Sequence, residues 1–195
     1  MSRTSSIDRK TTETDIRLSL TVDGQGTCNT QTGIGFFDHM LTALGRHGRL
    51  DLDVVCKGDL EVDAHHTIED VGICLGKAIA EAIGDKASMT RFGSAYIPMD
   101  EALARAAVDF SGRPYLVFNA NFEEKMIGSF PSALAEEFFR SLSDHARINL
   151  HIDLIRGSNA HHSVEAIFKA VARAVRTAVT IDPTEQGIPS TKGVL

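Results

Sequence analysis

Residues 63–70 read DAHHTIED and residues 159–166 read NAHHSVEA, so a chain with eight histidines places four of them in two copies of a His-His-x-x-Glu pattern. Neutral imidazole is the commonest protein ligand for transition metals, and carboxylates complete many such sites. On a helix, adjacent side chains diverge by about 100°, so His65 and His66 face different ions. His65 with Glu69, and His161 with Glu165, stand at i, i+4 and share a face. His66 and His162 are left to reach across to the other ion. Imidazole and carboxylate without thiolate suit Mn, Fe, Co, Ni or Zn. A six-coordinate ion with open positions for a substrate makes Mn the leading choice, although affinity order alone favours later metals.

The elements that must position these groups come from an internal repeat. Residues 39–54, HMLTALGRHGRLDLDV, align without a gap on residues 137–152, EFFRSLSDHARINLHI, with Leu44 on Leu142, His47 on His145, Arg49 on Arg147 and Leu52 on Leu150. The repeat therefore adds one position per half, His39 in the first and Glu137 in the second. Eight candidate ligands result: His39, His65, His66, Glu69, Glu137, His161, His162 and Glu165. Two quasi-equivalent ions would take about four each. Beyond each His pair, Val71, Leu75, Ala78, Ile79 and Ala82 match Ile167, Val171, Ala174, Val175 and Ala178, an apolar stripe of helical period. Segments DIRLSLTVDG, LDLDVVCKG, RAAVDFSGRPYLVFNANF and INLHIDLIRG alternate as strands. Each half is expected to run strand, strand, helix, strand, His-bearing helix. The fold class is α+β, with two similar halves at 1–92 and 93–183, each a small sheet with helices on one face, the helices stacked inward about a pseudo-two-fold axis. Residues 184–195, with few periodic apolar positions, form a tail or loop.

Basic residues fall where strands meet turns or helices: Arg91 in MTRFG, Arg113 in SGRPY, Lys169 one turn past Glu165, and Lys192 in PSTKG. With the hydroxyls of Ser190 or Thr191 they are of the types that hold phosphate. Glu13, just ahead of the first strand, is either a strand-edge charge or a site acid. His47, His145 and His151 are expected to be structural, His151 through packing or a hydrogen bond behind the site.

Composition limits the alternatives. A length of 195 residues with 43% hydrophobic content supports a buried core, and no apolar run approaches a membrane span. The N-terminus lacks the apolar region of a signal peptide, and the chain is expected to be cytoplasmic. Cys28, Cys56 and Cys74 form no C-x-x-C pair, which argues against a disulfide framework or a thiolate zinc site. A formal net charge of −6 without a basic run argues against nucleic-acid or membrane binding.

Together, RKTTET, GIGFFDHML, DAHHTIEDVGICLGKAI, RFGSAYIPMDEALA, DFSGRPYLVF, EEFFRSL, NAHHSVEAIFKAVARAVR and PSTKGVL resemble the imidazoleglycerol-phosphate dehydratase family of histidine biosynthesis over nearly the whole chain. The resemblance implies a duplicated α/β half of the ribosomal protein S5 domain 2-like kind, helices packed between two mixed or antiparallel sheets. It implies two Mn²⁺ per active site, no organic cofactor, and conversion of imidazole glycerol phosphate to imidazole acetol phosphate and water. The seven family metal ligands fall on His39, His65, His66, Glu69, His161, His162 and Glu165. Glu137 stands where some members have histidine, and Ala43 where some have a substrate-contacting glutamine. Arg91, Arg113, Lys169, Ser190 and Lys192 match substrate and phosphate contacts, the last two placing the 184–195 tail at the substrate site, and Glu13 matches an acidic contact. The imidazole ring is expected to lie between the ions and to expel hydroxide, with Glu13 moving a proton at the leaving hydroxyl and either a metal ligand or a metal-bound water taking the carbon proton. Family members form shells of twenty-four subunits with shared active sites. Two rival readings are a dinuclear metallohydrolase of a small phosphate ester, against which no bridging-Asp motif is found, and a non-catalytic metal-binding assembly module, which leaves the basic residues unexplained.

Overall fold

The computed structural model describes residues 2–195. The first half contains β1 (Thr4–Lys10), β2 (Thr14–Thr21), β3 (Cys28–Gln31), α1 (Gly35–Gly48), β4 (Asp51–Gly58) and α2 (His65–Ile83). The second contains β5 (Phe92–Met99), β6 (Ala102–Asp109), β7 (Tyr115–Asn119), a small hairpin of β8 (Met126–Ile127) and β9 (Phe130–Pro131), α3 (Leu134–Ala146), β10 (Asn149–Arg156) and α4 (Ala160–Val179). The two four-stranded sheets have orders β1-β2-β4-β3 and β5-β6-β10-β7. In each, the last pair is parallel and the others antiparallel, so α1 and α3 are crossover helices of matching place.

Each four-stranded sheet has three strands ahead of its crossover helix, where two were expected, and the second half adds the β8–β9 hairpin. The unread ones in the first half are edge strands: β1 and β3, whose sequences TSSIDRK and CNTQ carry little apolar alternation and whose side chains never become fully buried. Polar edges of this kind discourage pairing with another sheet and for the same reason hide from a hydrophobic pattern. In β2 the alternation is complete, Ile16, Leu18 and Leu20 turning inward.

α2 lies on β1 and β2, and α4 on β5 and β6, while across the middle α2 packs on α3 and α1 on α4. All four helices are thus held between the two sheets. The pairing α2 with α3 and α4 with α1 is what a pseudo-two-fold axis requires. Gly72 and Gly76 bring α2 onto the backbone of α3: a methyl group at Gly76 would lie 2.7 Å from the Leu142 carbonyl oxygen and 2.8 Å from His145 Cβ. Between the two seams, where α3 meets α4, Phe168 stacks on Phe138 with ring centres 5.2 Å apart and tilts against Phe139 at 4.7 Å. Those contacts fix the rotation of α4, so Glu165, one turn earlier, turns toward α1.

A buried polar knot ties the first sheet to α2. The Asp70 carboxylate, 5% exposed, accepts from Arg9 Nη1 and from Thr14 Oγ1, both at 2.5 Å. Thr14 follows Glu13, so the knot holds the β1–β2 turn beside the His-bearing end of α2. At the far end the tail returns to residues 88–91: Asp182 N–H donates to the Ser88 carbonyl, Ser88 N–H to the Gly187 carbonyl, and Arg91 Nη1 to the Pro189 carbonyl. Among the described residues no helix is long and apolar enough to cross a membrane.

Candidate metal centre

Helix α1 carries His39 on its second turn, and α4 carries His161 and Glu165 on its first two. The helices run side by side in the same direction, Gly48 near the end of α1 facing the Ala172 carbonyl of α4. His39 therefore meets the start of α4. His39 Nε2 lies 3.1 Å, and His161 Nε2 3.2 Å, from Glu165 Oε2. The three donor atoms all fall within 4.8 Å of one another, which makes them the one group of this kind among the described residues. Phe36 closes one side, its ring 4.9 Å from that of His161.

Glu165 is 6% exposed, so its charge requires partners. Its other oxygen, Oε1, takes the Lys169 ammonium at 2.6 Å, leaving Oε2 for the two imidazoles. Burial alone pushes this carboxyl up, but Lys169 and then His39 hold it below the usual carboxylate range. Two imidazoles and an ionised, oriented carboxylate make a donor set that fits a divalent transition ion. The geometry within one chain supplies three ligands and leaves the remainder to other groups.

The second seam is arranged differently. His65 Nε2 lies 3.7 Å from Glu69 Oε2, as the i, i+4 spacing requires. Glu137, the repeat mate of His39, instead lies 3.9 Å from Arg140 Nε on its own helix. It does not join His65 and Glu69 in a cluster among the described residues.

His66 and His162 are held alike, each by a carboxylate on Nδ1 that the sequence pattern did not single out. His66 Nδ1 faces both oxygens of Asp59, at 3.0 and 3.1 Å, with Glu13 Oε1 3.7 Å from its Nε2. His162 Nδ1 lies 2.8 Å from Glu101 Oε2, with Asp100 Oδ2 3.7 Å from its Nε2. A carboxylate on Nδ1 fixes the tautomer and offers Nε2 to a ligand. These contacts raise both imidazoles above their ordinary values, Asp59 acting on His66 and Glu101 on His162. In return, His162 and then the Asn159 N–H hold the Glu101 carboxyl down at about 2. The repeat carried a signal for Glu101, since it precedes β6 as Glu13 precedes β2. Asp59 had only its place in the loop before the His pair.

The α4 terminus is built around the same group. Asn159 Oδ1 accepts from the His162 N–H at 3.0 Å and caps the helix, while Glu101 Oε1 accepts from the Asn159 N–H at 2.8 Å.

The basic residues divide into two places. Arg91, in a left-handed conformation at φ 72°, forks onto Asp109 and also reaches the Pro189 carbonyl. Arg113 lies next to Gly112, which abuts the backbone of Leu195, and Ser190 Oγ accepts from the Lys192 N–H. These four gather where the tail meets the start of β5. Lys169, by contrast, sits beside Met99 at the end of β5, its ammonium 3.9 Å from the sulfur. The length of that strand, roughly 25 Å, separates the tail cluster from Lys169 and the triad within one chain. His47 and His145 lie half-buried on the two seams, and His145 Nδ1 is 2.9 Å from the Ser141 carbonyl.

Comparison with known proteins identifies the family. A family model described as imidazoleglycerol-phosphate dehydratase matches residues 32–175. The chain is 59% identical over 196 residues to the imidazoleglycerol-phosphate dehydratase of Acidiphilium cryptum, with 100% of both chains covered. It is 55% identical over 195 residues to that of Moorella thermoacetica, again with 100% of both covered. Among solved structures it is similar to the Staphylococcus aureus enzyme of that name at a TM-score of 0.84 and 45% identity, covering 92% of this chain and 99% of the other. The Pyrococcus furiosus structure also superposes at 0.84, with 37% identity over 97% of this chain and 100% of the other. With two duplicated halves, a His/Glu triad between their helices and these likenesses along its full length, the chain belongs to the imidazoleglycerol-phosphate dehydratase family.

Proposed function

We propose that the chain is a metal-dependent hydro-lyase that removes water from imidazole glycerol phosphate to give imidazole acetol phosphate in histidine biosynthesis, acting in the cytoplasm. In a member of this family, the observation that carries the reading is the convergence of His39, His161 and Glu165, donor atoms within 4.8 Å, at the seam between the halves. Two Mn²⁺ per active site are proposed, held by this triad together with His65, His66, Glu69, His162 and Glu137. Bound metal supplies Lewis acidity to the imidazole ring of the substrate.

The protein's own groups do the remaining work. Asp59 and Glu101 hold His66 and His162 in one tautomer. Lys169 turns Glu165 so that a single oxygen faces the imidazoles. Glu13, half-exposed beside His66, moves a proton at the leaving hydroxyl. Arg91, Arg113, Lys169, Ser190 and Lys192 bind the phosphate and so orient the carbon chain. Because Lys169 and the tail cluster stand at opposite ends of β5, one chain cannot apply them all to one phosphate. A homo-oligomer with sites shared between subunits, of twenty-four chains, removes that difficulty. The units 1–92 and 93–183 each contribute ligands, and 184–195 contributes substrate contacts.

The test offers purified protein imidazole glycerol phosphate and measures both the ketone product and free phosphate. Ketone without phosphate release is expected; phosphate release without ketone would make the chain a hydrolase. Glu13→Gln should lower turnover by roughly a hundredfold or more with metal content unchanged, and near-normal turnover would remove Glu13 from the mechanism.

A further inference from the structure

Farther along the α1–α4 seam lies a cavity of about 460 Å³ lined by Gln25, Arg46, His47, Arg49, Arg173 and Arg176. No acidic residue lines it. None of the four guanidinium groups has a hydrogen bond or ion pair among the described residues; the exposed Arg17 and Arg156 are likewise unpaired, whereas Arg3, Arg105 and Arg140 each hold a carboxylate, so what marks these four is that they line one cavity together. Arg173 stands eight residues past Glu165, so the cavity lies roughly 12 Å from the metal triad along α4.

Neither the duplication nor the helix ends account for this charge. On the mirror seam the corresponding positions are Asp144, Arg147, Lys77 and Ala80, so one acid offsets a cation and one position is neutral. There Arg147 Nε donates to the Gly112 carbonyl at 3.0 Å, whereas the guanidinium of its mate Arg49 has no partner among the described residues. The C-termini of α1 and α4 carry about half a negative charge each, which together offset about one of the four cations. Burial, and after it Arg49 and Arg173, lower Arg176 from its ordinary value, the direction that neighbouring like charges impose. A protein of net charge −6 does not keep four unpaired arginines around one concavity without an electrostatic cost.

We infer that Arg46, Arg49, Arg173 and Arg176 form an anion site for a phosphate group, free or carried as a monoester on a small molecule. Guanidinium forks match the oxygen geometry of phosphate, and a cavity of this size is in the usual range for small ligands. An acidic surface of another chain is disfavoured because the cations converge on a concavity rather than spreading over a flat patch. The inference does not depend on the dehydration chemistry, since none of its four residues is placed in the active site.

Calorimetric titration of the metal-free protein with inorganic phosphate, and separately with glycerol 3-phosphate, tests it at constant ionic strength against chloride. The wild type should take up one equivalent of phosphate more per chain than Arg49→Asn/Arg176→Gln, or bind that equivalent roughly tenfold or more tightly. Asn is chosen because it tolerates the left-handed backbone of Arg49 at φ 54°. Arg113→Ala/Lys192→Ala, which disables the proposed substrate contacts at the tail, should retain that equivalent. A stronger response to the monoester than to phosphate would identify an esterified ligand, and the reverse a free one. Unchanged stoichiometry and affinity in both Arg49→Asn/Arg176→Gln and Arg46→Gln/Arg173→Gln would overturn the inference. So would the absence of binding to the wild type, the result expected if another subunit's carboxylates fill the cavity.

Discussion

Asp70→Asn offers a direct test of how the first sheet is fastened to α2. The carboxylate is the shared acceptor of Arg9 and Thr14 and its side chain is 7% exposed, against 26% for Arg9. Asparagine keeps the shape and one acceptor oxygen but leaves the guanidinium without a counter-charge. Stripping one partner from a well-buried pair costs about 3 kcal/mol. Partial exposure of Arg9 lets water screen the stranded cation and trims this to about 2 kcal/mol. At about 2–4 °C per kcal/mol for a chain of this length, the melting temperature should fall by roughly 4–8 °C. Thermal and urea unfolding of the metal-free protein at one fixed concentration read the effect, and Thr14→Val, which removes one donor and leaves the ion pair, should lose about 1 kcal/mol. An Asp70→Asn protein within 0.5 kcal/mol of wild type would refute the claim that this knot fastens the turn carrying Glu13.

Other outcomes follow from the same geometry. Gly76→Ala gains about 1 kcal/mol of helix propensity but forces a methyl group to 2.7 Å from the Leu142 carbonyl oxygen. Overpacking of about 1–3 kcal/mol should win, lowering the urea midpoint, whereas Gly35→Ala, with nothing within 4 Å, should not lower it. Glu101→Ala and Asp59→Ala should weaken metal binding by roughly 10–100-fold in a calorimetric titration, with Glu101→Gln intermediate; unchanged affinity would deny them an orienting role. Burial pushes the Cys56 thiol up to about 12 and that of Cys74 to about 11, above the ordinary value of 9.0. A raised thiol stabilises the fold fully below the unfolded value and progressively less as pH climbs toward the folded one. Stability should therefore decline above about pH 9, less steeply in Cys74→Ala, and both thiols should resist alkylation at pH 8 until the protein unfolds. Equal alkaline decline in the variant, or rapid native labelling, would contradict this.

The parts of the molecule that were legible in sequence are those whose signal is local or repeated. The stripe Val71, Leu75, Ala78, Ile79, Ala82 and its copy on α4 mark two buried helices, and His161 with Glu165 needs only four residues of spacing to be found. The edge strands β1 and β3 left little trace because polar side chains suffice where one face is open. Partnerships between distant segments were hidden for a different reason. His39 meets Glu165 across 126 positions, and His162 meets Glu101 across 61, through packing that no short pattern encodes. The repeat was also an imperfect guide. It made Glu137 equivalent to His39, yet the Arg140 that follows one turn later has no basic counterpart beside His39, since the aligned residue is Thr42. Duplicated backbones thus keep their layers and crossings while single substitutions give the two seams different electrostatics.

The most direct measurement is ketone formation from imidazole glycerol phosphate by metal-stripped protein, before and after addition of Mn²⁺. The proposed function predicts no product from the stripped protein and restored turnover as the ion is added, with His39→Ala and Glu165→Gln failing to respond at the same metal concentration. Turnover by fully stripped protein, or metal binding with no dehydration at any concentration, would contradict it.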